Sequence, residues 1–415
     1  MKSINIPHYI KYCISILMSI FLWTSCINES QVQDAKTINL SKIFKNKQKI
    51  NLSKVATKIE YIQLQGDTTC YLGQIYRPNK SIKFFNDKIL VRDAADKLLL
   101  FNTSGKFLNK IGNVGRGPHD YIKPDDFTFL KKNGDSLVVV FSGAQQKALI
   151  FTHTGNYIKS ITIDFWPTGL NSINSSLVFI NNIGRRKKSK YYTLSIVSTD
   201  GDLEKRLFYK ENEKVIEENN KKLGLSGMYN NYMLKDTFCF WESNYDTIWR
   251  ITEKLTIIPK YVIDIGGNKM PFREQTKSNI FDINKIKKYN KLTHVKESTR
   301  FFFFSMIYRA RLHRIYYDKN TKESSCVEFK KESGNGTNLL FYNDIDGGLP
   351  FWPTGQVSDN KMYKLIYGYE LKDYLDRKGD NVEVIDKVSR EKLLQLAENS
   401  KVSDNPILMI VTLKQ

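Results

Sequence analysis

Cysteine is scarce in this chain of 415 residues. Of its five cysteines, Cys13 and Cys26 fall near the start and only Cys70, Cys239 and Cys326 remain for the rest, which excludes a disulfide framework. None of them stands at zinc-ligand spacing from another cysteine or a histidine. Cys239 lies inside the apolar run TFCFW, so buried free thiols are expected, with at most one disulfide. Proline and glycine number only 10 and 23 and 41% of residues are hydrophobic, which excludes a low-complexity chain and marks a folded protein. Tryptophan is rare too, at five residues, whereas tyrosine and phenylalanine supply 23 and 24. These are residue types of strands, and they argue against an all-helical fold. Acids are in deficit, 43 against 64 lysines and arginines, for a net charge of +21. That surplus points to an anionic partner or surface and is silent about fold.

Long apolar runs are also missing. The run from Ile14 to Trp23 is short for the ~30 Å of hydrocarbon that a spanning helix must cross. With Lys2 and Lys11 before it and Thr24-Ser25-Cys26 after it, residues 1–25 read as a signal peptide. The small residues before Cys26 resemble a bacterial lipoprotein processing site, with Trp23 as a departure, and the resemblance implies a lipidated Cys26. More than one acyl chain on that cysteine makes a stable anchor. Removing the signal takes away two lysines and no acid, so the basic excess belongs to the mature chain. Residues 26–36 are polar and read as a tether, leaving 37–415 as the folded domain.

Residues 82–111 break into four short apolar runs separated by Asn86-Asp87, Ala94-Ala95-Asp96 and Asn102-Thr103-Ser104-Gly105. Residues 127–163 repeat the plan. Gly105 and Gly155 are 50 residues apart and Gly201 follows 46 further on, a period that suits a four-stranded blade. Looser copies follow near 229–265, in RFFFF with LHRIYYDKNTKESSCVEF, and in LLFY with KMYKLIYGY. The expected fold is all-β, a six-bladed β-propeller with short helical insertions near 204–222, 282–297 and 387–399. The last apolar run, Leu408 to Leu413, is expected to join an N-terminal strand in the closing blade, which leaves no free edge.

KLLLFNTSGKFLNKIGNVGRGPHDY (97–121) resembles the NHL-type propeller repeat. YDTIWRIT (245–252), YVIDIG (261–266), NDIDGGLPFWP (343–353) and DNPILMIVTLKQ (404–415) extend the likeness, so that the whole mature chain resembles the six-bladed β-propeller lipoproteins of Bacteroidetes. That resemblance implies a fold and a location at the cell envelope. It implies no established reaction and no catalytic residues.

GNVGRGPHDY (112–121) lacks the Gly-Lys-Ser/Thr ending of a phosphate loop and reads as an inter-blade connection. On the blade alignment, one face of the propeller collects Arg92, Asp93, Arg116, His119, Asp120, Tyr121, Ser142, Gln145, Trp166, Glu242, Asn244 and Tyr245. These residues, with Trp352, are the candidate ligand-binding set around a channel mouth, and ordinary turn residues are the alternative. FWPTG occurs at 165–169 and again at 351–355, which suggests equivalent inter-blade positions, with Trp166 and Trp352 as wedges or as platforms for a sugar ring. Asp344 and Asp346 could hold calcium or make Asx-turns. His119, His153, His294 and His313 show no ligand spacing, and no nucleophile elbow occurs. No catalytic residue, metal or cofactor is therefore expected, although Asp120 and Glu242 could in principle form a carboxylate pair. The clusters Arg185–Lys190 and Asn284–Lys291 read as solvated faces.

Three functional readings stay open. The first is a non-catalytic, lipid-anchored binding module that takes a glycan, peptide or protein partner at its channel mouth. The second is a glycosidase or lyase acting on acidic polysaccharide, and the third is a structural subunit of an envelope complex. The expected partners are the membrane, through Cys26, and an anionic glycan or envelope protein; nucleic acid is disfavoured by the export signal. The expected location is the outer membrane, facing the periplasm or the cell surface. Replacing Cys26 with Ala should abolish incorporation of labelled palmitate and move the protein from the membrane fraction to the soluble fraction of the cell. Unchanged labelling of that variant would refute lipidation at this position.

Overall fold

The computed structural model describes residues 35–43, 47–132, 134–181, 192–208, 229–243, 245–271, 274, 282–330, 337–379 and 382–415. Each run of four strands forms one antiparallel sheet, and six such sheets follow one another around a ring. Blade one spans residues 82–110, blade two 126–162, blade three 167–208, blade four 229–264 and blade five 291–327. Blade six uses both ends of the chain. Its strands Gly355–Ser358, Lys361–Ile366 and Ile407–Leu413 are completed by an N-terminal strand, β3 (Ala56–Gln63), antiparallel to Ile407–Leu413.

The ring follows from where the apolar side chains go. Strands such as Lys88–Arg92 and Leu98–Asn102 are apolar on both faces, so each blade buries two faces. Six hydrophobic clusters result, each shared by two successive blades, including the one between blades six and one. The earlier N-terminal strands cover edges. β1 (Lys36–Asn39) pairs in parallel with Tyr261–Asp264 of blade four, and β2 (Lys47–Gln48) with Cys326–Val327 of blade five.

The helical expectations are partly corrected. The stretch near 204–222 begins as a strand, Leu203–Phe208, which pairs with Tyr192–Val197; residues 209–222 lie outside the described residues. Helix α1 (Pro78–Ser81) is a single turn ahead of blade one. Within 282–297 only α2 (Ile283–Lys288) is helical, and Lys291–Glu297 is the inner strand of blade five, held by Phe301–Tyr308. Helix α3 (Gly368–Lys378) follows directly on Lys361–Ile366, where the sequence suggested a continuing strand; Leu371 and Leu375 bury its inner side. Helix α4 (Lys387–Asn399) matches its expected range and buries Leu393 and Ala397 against the cluster between blades five and six. LLFY (339–342) is not a blade strand, and Phe341 only bridges Phe351.

The two FWPTG copies do precede the inner strands of blades three and six, at Pro167–Ile173 and Gly355–Ser358. Their tryptophans differ. Trp352 is 8% exposed, stacked on Phe341 at 5.6 Å and edge-on to Phe303, whereas Trp166 is 42% exposed. Trp352→Ala should therefore cost about 3–5 kcal/mol of folding stability. Trp166→Ala should stay within about 0.5 kcal/mol of the parent. Urea denaturation of both variants measures the contrast, and equal losses would contradict it.

Candidate functional site

The inner strands of the six blades surround a central channel. At the end formed by the inter-blade connections, α1 reaches across it. Lys80 Nζ donates to Tyr229 Oη of blade four, opposite blade one in the ring, at 2.9 Å and lies 4.2 Å from that ring's centre. Tyr229 Oη donates in turn to the Thr168 carbonyl of blade three, and Tyr363 Oη of blade six donates to the Pro78 carbonyl at 2.8 Å. Burial pushes the Lys80 ammonium below its ordinary value, and Asp126 of blade two partly offsets this. Gly169 leaves room for Tyr229, whose hydroxyl a Cβ there would meet at 2.6 Å.

Toward the opposite end, where each inner strand turns into the second strand, the channel widens into a cavity of about 990 Å³. This is the upper end of the ~300–1,000 Å³ usual for ligand clefts. Its wall is rich in amides and hydroxyls, such as Asn171, Asn231, Gln356 and Thr128, with lysines Lys83, Lys131, Lys235 and Lys296. The buried acid in that wall, Glu297, is committed elsewhere. It accepts hydrogen bonds from Tyr232 Oη (2.5 Å), Lys260 Nζ (2.9 Å) and Lys319 Nζ (2.6 Å), which joins blades four and five. Cys239 sits beside this cluster, 3.3 Å from Lys260 Nζ, and burial pushes its thiol up. Cys70, Cys239 and Cys326 are all free and buried.

None of the residues chosen from the sequence lines this cavity. Arg92 Nη1 donates to the carbonyls of Pro124 and Asp125 and so fixes the start of blade two. Asp93 is buried and accepts from Gly73 N, Ala95 N and Lys97 N, organising its own turn. Arg116 is exposed, and His119 stacks at 4.1 Å on Tyr157 of the outer strand of blade two, at the rim of the ring. Asp120 accepts from Gly117 N, while Tyr121 is buried with its hydroxyl donating to the Ile111 carbonyl at 2.9 Å. Gln145 Nε2 donates to the Asp120 carbonyl, so Asp120, Tyr121 and Gln145 are one locally braced connection. Ser142 is buried in the blade-two turn. The Tyr245 carbonyl accepts from Trp241 Nε1, Trp352 is in the core and Trp166 is exposed. Asn244 and Cys26 lie outside the described residues, as does Arg185–Lys190; in the second basic cluster α2 is exposed, but Lys291 is buried.

Asp344 accepts from Ser53 N (2.9 Å) and Ser53 Oγ (2.5 Å), and Asp346 from Tyr61 Oη (3.0 Å), Asn343 Nδ2 (2.6 Å) and Gly348 N (2.9 Å). These carboxylates tie the N-terminal segment to the 343–348 turn, the turn-bracing role that the sequence offered beside calcium. Among the described residues no group of three or more His, Cys, Asp or Glu is placed to hold a metal ion.

Sequence reasoning passed over the cavity wall because its residues sit inside strands and not in turns. The signal is a polar residue recurring within the first run of each blade, as in IKFF, FTFLKK, GLNSI, YNNYML, LTHVKE and GQVS. Glu242 is a different case, buried at 5% exposure with Oε2 unpartnered. Burial pushes its carboxyl from the ordinary 4.5 up to about 7. The folded chain thus holds this proton more tightly than the unfolded chain, so the group lowers stability as pH rises from 4.5 to about 7 and exerts its full penalty above. Glu242→Gln should raise stability by about 3 kcal/mol more at pH 8 than at pH 4. Denaturation of both proteins across that range checks this, and parallel pH profiles would contradict it.

No curated protein matches the chain. Among solved structures it is similar, at 19% identity and a TM-score of 0.66, to a protein from Bacteroides fragilis NCTC 9343 assigned as exported, over 92% of this chain and 100% of that one. It is also similar to a member of the DUF4221 family from Bacteroides vulgatus ATCC 8482, at 12% identity and a TM-score of 0.42, over 70% of this chain and 92% of that one. The blade arrangement and the first of these likenesses agree on a six-bladed propeller. Residues 35–412 match the family described as a domain of unknown function (DUF4934), and the chain belongs to that family.

Proposed function

We propose that this chain is a lipid-anchored binding module of the cell envelope, and that its glycan, peptide or protein partner presents a polar segment to the channel. The observation that carries this reading is the cavity of about 990 Å³. It opens where the inner strands turn, while the Lys80–Tyr229 contact crosses the other end of the channel. A site of this kind is fixed on rigid strands and needs no closing lid. Its amides offer donors and acceptors side by side, which suits hydroxyl-rich or peptide-like ligands. The leader ending at Cys26 and the exported relative from Bacteroides fragilis support an envelope location. No helix among the described residues is long and apolar enough to cross a membrane.

Asn171→Trp, placed on the cavity wall, should block ligand entry and reduce binding on a glycan and peptide array at least tenfold. The pair Arg116→Ala and Trp166→Ala, on the inter-blade side, should leave binding within twofold of the parent. The reverse pattern would move the site to the inter-blade face and defeat the channel reading.

A further inference from the structure

The acids Asp236 and Asp359 also line the cavity, and Asp359 accepts from the Lys235 amide, but two of the cavity lysines pair with neither. Lys83 stands on the inner strand of blade one and Lys296 on that of blade five, and both line the cavity. Neither makes an ion pair or hydrogen bond among the described residues, and the one charge that acts on Lys296 is that of Lys83. Burial and that repulsion together push the Lys296 ammonium down to about 8. Between them in the ring, on the inner strand of blade six, Gln356 lines the same cavity with its amide nitrogen buried and unpartnered. The three residues occupy matching levels, each three positions before a turn residue of its hairpin, Asn86, Thr299 and Asp359.

More positive charge lies behind this layer. Desolvation and the charges of Lys296 and Arg314 hold the His294 imidazole below its ordinary value, and Arg314 also acts on Lys364. The charge of Glu370 acts on Lys364 in the opposite sense. Glu297 adds no free negative charge, since Lys260 and Lys319 neutralise it. Cations and an N–H donor left without acceptors in a polar cavity are stabilised by an arriving oxyanion, through charge-assisted hydrogen bonds.

We propose that Lys83, Lys296 and Gln356 form a subsite for the carboxylate or sulfate of an acidic oligosaccharide, whose hydroxyls meet the amides of Asn171 and Asn231. This rests on the channel reading given above and supplies its ligand class. A peptide is the less suitable occupant, because the amide-rich wall serves hydroxyls around a whole sugar ring and one oxyanion suffices for the three donors.

Calorimetry with the full mature protein tests this using tetragalacturonate, its neutral methyl ester and a κ-carrageenan tetrasaccharide, whose only anionic groups are sulfates. The expected result is that at least one anionic sugar binds ten-fold or more tightly than the neutral ester, and that Lys83→Gln and Lys296→Gln each lose about tenfold. Preference between the two anionic probes tells carboxylate from sulfate. Lys106→Gln, on an exposed turn, controls for overall charge, and thermal melting confirms that the variants fold. If the neutral ester binds as well as the acid, and the lysine variants match the parent while Asn171→Trp abolishes binding, the anionic subsite is overturned and the channel reading survives. If an acidic peptide from the array binds in the channel and no sugar does, the oligosaccharide class is overturned. If no sugar or peptide binds, both readings fall.

Discussion

The pairing of Ile407–Leu413 with β3 holds the molecule together. Each blade is apolar on both faces and is satisfied only when a neighbour covers each one. An open row of six sheets would leave two faces in water, one at either end. Closing the row puts Leu408 and Ile410 against Ile89, Val91, Leu99 and Phe101 of blade one, while Met409 and Val411 face Phe303 and Tyr316 of blade five. A single strand thus serves the last two of the six clusters. Because its own outer neighbour comes from the N-terminus, blade six is complete only when both ends of the chain are in place.

Closure also decides the character of the centre. Inner strands converge on an axis where no further sheet can pack, so their channel-facing positions are polar. Near α1 these groups answer one another, with Lys80, Tyr229, Thr168 and Asp126 drawing four parts of the ring together. In the wider half some groups are paired, as Tyr232 is with Glu297, but Lys83, Lys296 and the Gln356 amide nitrogen face the cavity with no partner among the described residues. The two halves of one channel therefore differ: one locks the blades and the other leaves cationic and amide groups facing open space.

Blade count and closing strand were legible in the sequence, because glycine turns at a near-fixed period and short apolar runs are local signals. The range of α4 was legible too, from its charged residues and helical spacing. Strand Lys291–Glu297 was not, since the charges Lys291, Lys296 and Glu297 imitate a solvated helix and only the pairing with Phe301–Tyr308 reveals a strand. Helix α3 was hidden because Tyr367 and Tyr369 continue an aromatic strand pattern; Glu370, reaching back to the Tyr367 amide, is the local sign of its start. The site was read at the turns, where polar residues are conspicuous. Arg92, Asp93 and Asp120 are polar because turns need side-chain acceptors and braces, whereas the cavity residues depend on how six distant strands converge, which no single blade records.

The outer position of the N-terminal strands has a consequence for how the chain must be made. Asn39 meets Asp264 across 225 residues and Thr57 meets Thr412 across 355. These early segments therefore wait for well over half of the polypeptide, and β3 for almost all of it, before they have partners. During that interval β1, β2 and β3 are unpaired edges, and blades four to six lack their rims. Such long-range pairing is slow and exposes strands to wrong partners. The folding of this propeller is thus tied to completed synthesis of its C-terminal strand.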